Sequence, residues 1–166
     1  MAVRTDDQLS LEIRLTQAGF DLLRAELREL VDVGRPEALR RMQGAYESGG
    51  NDGSTEVSDA RWEQDRVEMR IQRLESQLRN AHLVTDTELR SDRIAIGHRV
   101  EVRRADGSQR DYVLVSPLES DPRSGRLSSD SPLGKALIGR AIGDVVVVEH
   151  TGEEITVTSF GAPAPA

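Results

Sequence analysis

The chain has no cysteine. That excludes a disulfide framework, a thiolate zinc site and a cysteine nucleophile. Aromatic residues are scarce, with one Trp, two Tyr and two Phe among 166 residues. Base-stacking nucleic-acid modules and aromatic-lined ligand pockets both need such rings, so neither is expected. Positive charge is also short, at 22 Lys and Arg against 29 Asp and Glu, for a net charge of −7. An acidic chain repels phosphate backbones, which argues against independent DNA binding and favours a partner with a positive surface. No stretch approaches 18 consecutive apolar residues, and the opening MAVRTDDQLS has no apolar signal core. Neither a membrane span nor secretion is expected, and a chain without cysteine is compatible with the cytoplasm.

The length allows one or two small domains. The hydrophobic period divides the chain near residue 90. Residues 1–10 are polar and read as a frayed end. From Leu15 the period is helical, with Ala18, Leu23, Leu27, Leu30 and Val31 on one stripe and Thr16 in the N-cap position. Gly34–Arg35–Pro36 predicts a break or kink. A second helical run follows, with Leu39, Met42 and Tyr46 on one face. It ends in the turn-forming run Ser48–Gly49–Gly50–Asn51–Asp52–Gly53–Ser54. A long helix then starts at Ser54 or Thr55. Its apolar positions Ala60, Val67, Ile71, Leu74, Leu78 and Ala81 have coiled-coil spacing. Two helices joined by a glycine-rich turn make an antiparallel hairpin.

After Asp92 the period becomes two. Val100 and Val102, then Tyr112 and Leu114, flank the hairpin turn Ala105–Asp106–Gly107–Ser108. Residues 117–126 read as a loop. Ser131 followed by Pro132 is an N-cap with proline at the first helical position, which opens a short helix. Strands are expected at Val145–Val148 and Ile155–Val157 with a turn at Thr151–Gly152, and the final GAPAPA reads as disordered. The expected fold class is therefore α+β. Residues 1–85 form an N-terminal antiparallel coiled-coil hairpin with its tip near residues 48–56. Residues 86–160 form a C-terminal β domain with one short helix, and residues 161–166 form a disordered tail.

The run Leu15–Thr16, Gly19, Leu23, Glu26–Leu27, Leu30 and Arg35–Pro36–Glu37 resembles the opening of the bacterial GreA and GreB transcript cleavage factors. Ser131–Pro132–Leu133–Gly134–Lys135–Ala136–Leu137–Ile138–Gly139, followed by Gly143–Asp144 and a valine strand, resembles the core of their C-terminal domain. Both motifs stand in family order and spacing, and the resemblance covers roughly residues 13–160. It implies a C-terminal domain folded like the FK506-binding proteins, docked at the mouth of the RNA polymerase secondary channel, with Ser131, Pro132, Leu133 and Gly134 at the docking surface. It implies a hairpin that passes down that channel as a monomeric factor. At the tip of the family's cleavage factors an Asp and a Glu help hold a second Mg²⁺ at the polymerase centre, where the polymerase hydrolyses its own backtracked transcript.

The tip departs from that pattern. The family tip reads Gly-Asp-Leu-x-Glu-Asn-Ala-Glu-Tyr. Aligned without gaps, Gly49 takes its first glycine, Gly50 the catalytic Asp position and Gly53 the catalytic Glu position. Ser54, Glu56 and Val57 then take the Asn, second Glu and Tyr positions. Glycine has no side chain to offer a metal. Asp52, Glu56 and Asp59 are the carboxylates left near the tip, and Asp52 is the one candidate for a shared Mg²⁺. Glu56 and Asp59 also fit a plain reading, since acids are favoured in a first helical turn. No catalytic residue is assigned to the chain, and no cofactor of its own. The expectation is a Gre-family factor that binds polymerase and inhibits or modulates synthesis without cleavage.

The alternative is an active cleavage factor. A coiled-coil adaptor and a prolyl isomerase-like chaperone are weaker readings, the latter because the C-terminal half offers only Tyr112 and Phe160 to line a pocket. Trp62 fits either the packing seam or a surface meeting the channel wall. His82, His98 and His150 lack metal-ligand spacing.

Overall fold

The computed structural model describes residues 13–49, 51, 53–149 and 151–163. The expectations for the frayed N-terminus, Gly50, Asp52, His150 and residues 164–166 lie outside these. The chain divides into two compact units: residues 20–80, and residues 81–166 together with those up to Gly19.

Residues 20–80 form the hairpin. Helix α1 (Gln17–Glu29) starts at Thr16, whose Oγ1 accepts the Gly19 N–H at 3.0 Å. The break expected at Gly34–Arg35–Pro36 is instead a π-helical turn, Leu30–Gly34, leading directly into α2 (Arg35–Glu47). The backbone remains right-handed helical through Gly34 (φ −59°, ψ −47°), and the Arg35 N–H reaches back five residues to the Leu30 carbonyl. The widened turn ends just before Arg35–Pro36, so the proline falls in the first turn of α2. The return helix α3 (Thr55–Arg79) has 25 residues, roughly 38 Å of rod.

The packed seam is Val57, Ala60, Ile71 and Leu74 of α3 with Leu23 of α1 and Ala38 of α2. The face expected for α2 is one position out. Leu39 is 46% and Tyr46 40% exposed, while Ala38 is buried. A small residue at 38 lets the helices approach closely, and the larger side chains flank the contact. The last apolar position expected for α3, Ala81, lies past the helix in a strand.

The other unit holds two sheets. Strand β1 (Ile13–Leu15) pairs in parallel with β2 (Ala81–Leu83), with Arg14 opposite His82. In packing, β1 and β2 group with the C-terminal residues rather than with the hairpin. The larger sheet contains β3 (Arg99–Arg104), β4 (Gln109–Val115), β5 (Arg126–Ser128), β6 (Val145–Val147) and β7 (Glu154–Gly161), in the order β5-β4-β3-β7-β6. The β3–β4 turn forms at the expected residues. Gly107 takes the left-handed φ of +82°, and the Ser108 N–H donates to Asp106 Oδ1 at 2.8 Å. The stretch 117–126 is two short 3₁₀ turns leading into β5, which pairs in parallel with β4. Gly161, expected in the tail, closes β7 opposite Arg99. The core is Ile94, Val100, Val102, Leu114, Leu137, Val146, Val148, Ile155 and Val157, with Leu137 supplied by the short helix α4 (Pro132–Leu137). The architecture is α+β, a long helical hairpin and a β-sheet unit. Among the described residues no helix is long and apolar enough to cross a membrane.

Candidate functional site: the hairpin tip and its supports

Short polar side chains build the tip. At the end of α2 the Ser48 N–H and Oγ both donate to the Gly44 carbonyl, at 3.0 and 2.8 Å, and Gly49 turns the chain with a φ of +87°. Asn51 Oδ1 accepts the Gly53 N–H at 3.0 Å, and the Asn51 carbonyl accepts the Ser54 N–H at 2.8 Å. Ser54 then caps α3, its Oγ accepting the Val57 N–H at 3.4 Å. Each bond is local, so the turn is legible as a cluster of Ser, Gly and Asn.

Glu56 stands exposed in the first turn of α3 and Asp59 exposed one turn on. Asp52 lies outside the described residues. Glu63, the next carboxylate along α3, is engaged elsewhere: Arg41 Nη1 donates to its Oε1 and Oε2 at 2.6 and 2.5 Å. Among the described residues no cluster of three Asp, Glu or His is placed to hold a metal ion. Mg²⁺ takes hard oxygen ligands in octahedral array. Glu56 and Asp59 lie on one helix, and Gly50 and Gly53 carry no side-chain donor for a metal.

Three cross-helix arginine pairs hold the shaft. Besides Arg41–Glu63, Arg35 grips Glu68 in a two-pronged pair at 2.6 and 2.8 Å, and Arg70 grips Glu26 at 2.7 and 2.8 Å. The hydrogen bond from Arg35 holds the Glu68 carboxyl below the ordinary carboxylate range and raises Arg35 in turn. Nearer the tip, Arg61 Nη2 donates to the Tyr46 hydroxyl at 3.2 Å. Trp62 is not in the seam. It is 73% exposed.

At the expected docking segment, three of four residues have work inside the fold. Ser131 Oγ donates to the Ser128 carbonyl at 2.7 Å and accepts the Gly134 N–H at 3.0 Å, capping α4. Gly134 is buried, and a Cβ there would lie 2.0 Å from the Ser128 carbonyl oxygen. Leu133 packs against the core, which leaves Pro132 exposed.

Glu119 is a residue that the sequence reading passed over inside an expected loop. Its side chain is fully buried, and its carboxylate accepts the Thr16 backbone N–H at 2.8 Å, the Thr16 hydroxyl at 2.5 Å and Arg126 Nη2 at 2.7 Å. No local signal marks it, because Thr16 lies 103 positions away. A second clamp fixes β1. Glu88 accepts the Thr85 N–H and hydroxyl at 2.8 and 3.0 Å and pairs with Arg14 at 2.6 Å. The Thr85 N–H is the main cause of a Glu88 carboxyl held below its usual range. His98 is fully buried, with Nδ1 accepting the Ala95 N–H at 3.0 Å and its ring against Phe160, a packing role. A cavity of about 420 Å³ in the sheet unit is lined by Val84, Leu89, Val113, Val115 and Arg126, with no aromatic ring among its described lining residues. That lining lacks the rings a prolyl isomerase pocket needs.

Residues 13–83 match the family model described as transcription elongation factor, N-terminal, and residues 89–160 match transcription elongation factor, GreA/GreB, C-term. The chain is 38% identical over 144 residues to transcription elongation factor GreA of Bacillus cytotoxicus, covering 86% of this chain and 91% of that protein. It is 40% identical over 139 residues to GreA of Thermotoga sp. strain RQ2, covering 83% and 88%. The crystal structure of GreA factor homolog 1 (Gfh1) of Thermus thermophilus is 29% identical, covering 91% of this chain and 99% of that one at a TM-score of 0.42. The assignment rests on the sequence matches, which span both units: the chain belongs to the GreA/GreB family of transcription elongation factors.

Proposed function

We propose that this factor binds RNA polymerase through its secondary channel and slows or modulates synthesis without assisting transcript cleavage. The observation that carries this is glycine at both 50 and 53, where the family's cleavage factors place the carboxylates that serve the second metal. Asp52, Glu56 and Asp59 remain, but Glu56 and Asp59 are fixed to α3 beyond that turn. A group misplaced by about 1 Å can lose ~100-fold in rate. Any Mg²⁺ belongs to the polymerase, and no step of the proposed action runs through it.

In this reading residues 1–85 act as the channel finger and residues 86–160 as the docking body. Pro132 offers the exposed part of the Ser131–Gly134 surface. The factor acts as a monomer in the cytoplasm. The stapled shaft suits obstruction, because three arginine pairs oppose splaying of the helices. A finger that fills the channel without a competent tip hinders nucleotide entry.

The test is a halted, backtracked polymerase complex carrying labelled RNA, with Mg²⁺ and this chain added. Slower nucleotide addition without shortening is the expected result. Robust Mg²⁺-dependent shortening from the 3′ end would refute the reading in favour of a cleavage factor.

A further inference from the structure

Charge is distributed unevenly along the hairpin. Residues 45–65, the tip half, hold six carboxylates (Glu47, Asp52, Glu56, Asp59, Glu63 and Asp65) against the single Arg61. The rest of residues 20–80 holds nine arginines against seven carboxylates. The acidic half also carries the chain's lone tryptophan. Trp62 stands 73% exposed as a ridge between two shallow surface hollows. Asp59, Glu63, Arg66 and Met69 line one, and Val57, Ser58, Arg61 and Asp65 the other. Met69 is itself 58% exposed.

An indole left this open contributes almost nothing to folding. Its face attracts cations, and Trp is the ring that does so best. Neither flanking carboxylate takes part in an ion pair among the described residues, unlike Glu63 and Glu68 on the same helix. Arg61 Nη2 donates to the Tyr46 hydroxyl at 3.2 Å, and Arg66 lines the hollow on the Asp59 side. Two free carboxylates astride an exposed indole, on an acidic half-hairpin, complement a basic side chain presented from an apolar setting. Trp and Arg are also the residues that most often dominate interface energetics.

We infer that Trp62, flanked by Asp59 and Asp65, receives an arginine or lysine side chain of the protein wall that the hairpin enters. The inference rests on the polymerase reading above and names the chemistry by which α3 engages that partner. The same acidic field disfavours stacking of an RNA base on Trp62.

Because Trp62 is the chain's one tryptophan, replacing it with 5-hydroxytryptophan gives a label that can be excited apart from the tryptophans of a partner. The labelled full-length chain is titrated with core RNA polymerase, and the unlabelled variants are measured by competition. The expected result is a change in Trp62 emission on binding, with W62A binding about 30-fold more weakly. W62F should recover most of the loss and W62L little, since only the former keeps an aromatic face. D59N/D65N should bind several-fold more weakly at low salt, and that difference should shrink as salt is added. Thermal melts should be the same for all variants, because none of these side chains is buried. Tight binding by the wild type with equal affinity of W62A overturns the inference and leaves the polymerase reading standing. Equal rescue by W62L and W62F also overturns it, since a greasy plug would then suffice. An emission change with an RNA oligomer alone overturns it in favour of base stacking. No binding of the wild type to polymerase overturns the polymerase reading itself, and the inference with it.

Discussion

The carboxylate of Glu119 accepts the backbone N–H of Thr16 at 2.8 Å, joining two residues 103 positions apart. An acid there satisfies an orphan donor at the start of α1 and complements the positive end of the helix. Arg126 holds the same carboxylate from the other side at 2.7 Å. The arrangement accounts for Gly19, where a Cβ would lie 2.0 Å from the Glu119 carboxyl carbon.

E119A should therefore lower stability by about 3 kcal/mol, because a buried charged partner is lost and Arg126 is left unpaired. G19A should be comparably costly, by displacing the carboxylate instead of deleting it. Urea unfolding of the two variants checks both, and a loss below about 1 kcal/mol in E119A would contradict the clamp.

Acid should loosen the shaft through Glu68. Its carboxyl lies below the ordinary range because it accepts hydrogen bonds from Arg35. A carboxyl that is more acidic in the folded state contributes stability above its unfolded pKa. That contribution starts to fade as pH falls through the ordinary glutamate range and is gone below the folded value. Both side chains are partly exposed, so the effect is modest and salt-sensitive. Helix melts between neutral pH and pH 3 should show a shallower acid-side fall for E68Q than for the wild type.

Around α4 two substitutions should differ in kind. S131A removes a cap and should cost about 1 kcal/mol. G134A drives a methyl group into the Ser128 carbonyl, which is backbone and has no rotamer to escape into, so the α4–β5 connection must shift. Amide exchange should show protection lost around residues 128–137 in G134A and largely kept in S131A.

The tip makes a gain-of-function prediction. G50D/G53E restores the two carboxylates at the positions that the family pattern specifies. Gly53 has room, as its nearest neighbour to an added Cβ is Asn51 Oδ1 at 3.4 Å. Cleavage of a backtracked transcript should rise about tenfold or more over the parent chain. If shortening stays at the polymerase's own background, the gap-free placement of the tip is wrong.

These residues also show which parts of the molecule could be read in advance. Ser54, Ser131, Thr16 and the Ala105–Ser108 turn were legible because each cap or turn is made by residues within four positions of one another. β1, β2 and β5 were not. Each has three residues, too few to show a period, and β1 finds its partner 68 positions along the chain. Glu119 was missed for the same reason. Leu39 misled because its size suggested burial, whereas close helix approach selects Ala38. Trp62 misled likewise, its hydrophobicity pointing to the seam when the structure leaves it bare. At the tip the carboxylate inventory was readable, but the diversion of Glu63 to Arg41 depends on a helix 22 positions away.

The π turn at Leu30–Gly34 bears on the bearing of the finger. An extra residue in one helical turn displaces everything after it by a residue's share of rotation, about 100° at 3.6 residues per turn. Deleting one residue from Leu30–Gly34 would restore an ordinary helix and swing Ala38 off the α3 seam. The azimuth at which Ser48 and Gly49 leave α2 would turn with it. The compass setting of the tip is thus written some 15 residues before the tip itself, where a one-residue indel acts as a rotation instead of a change in length.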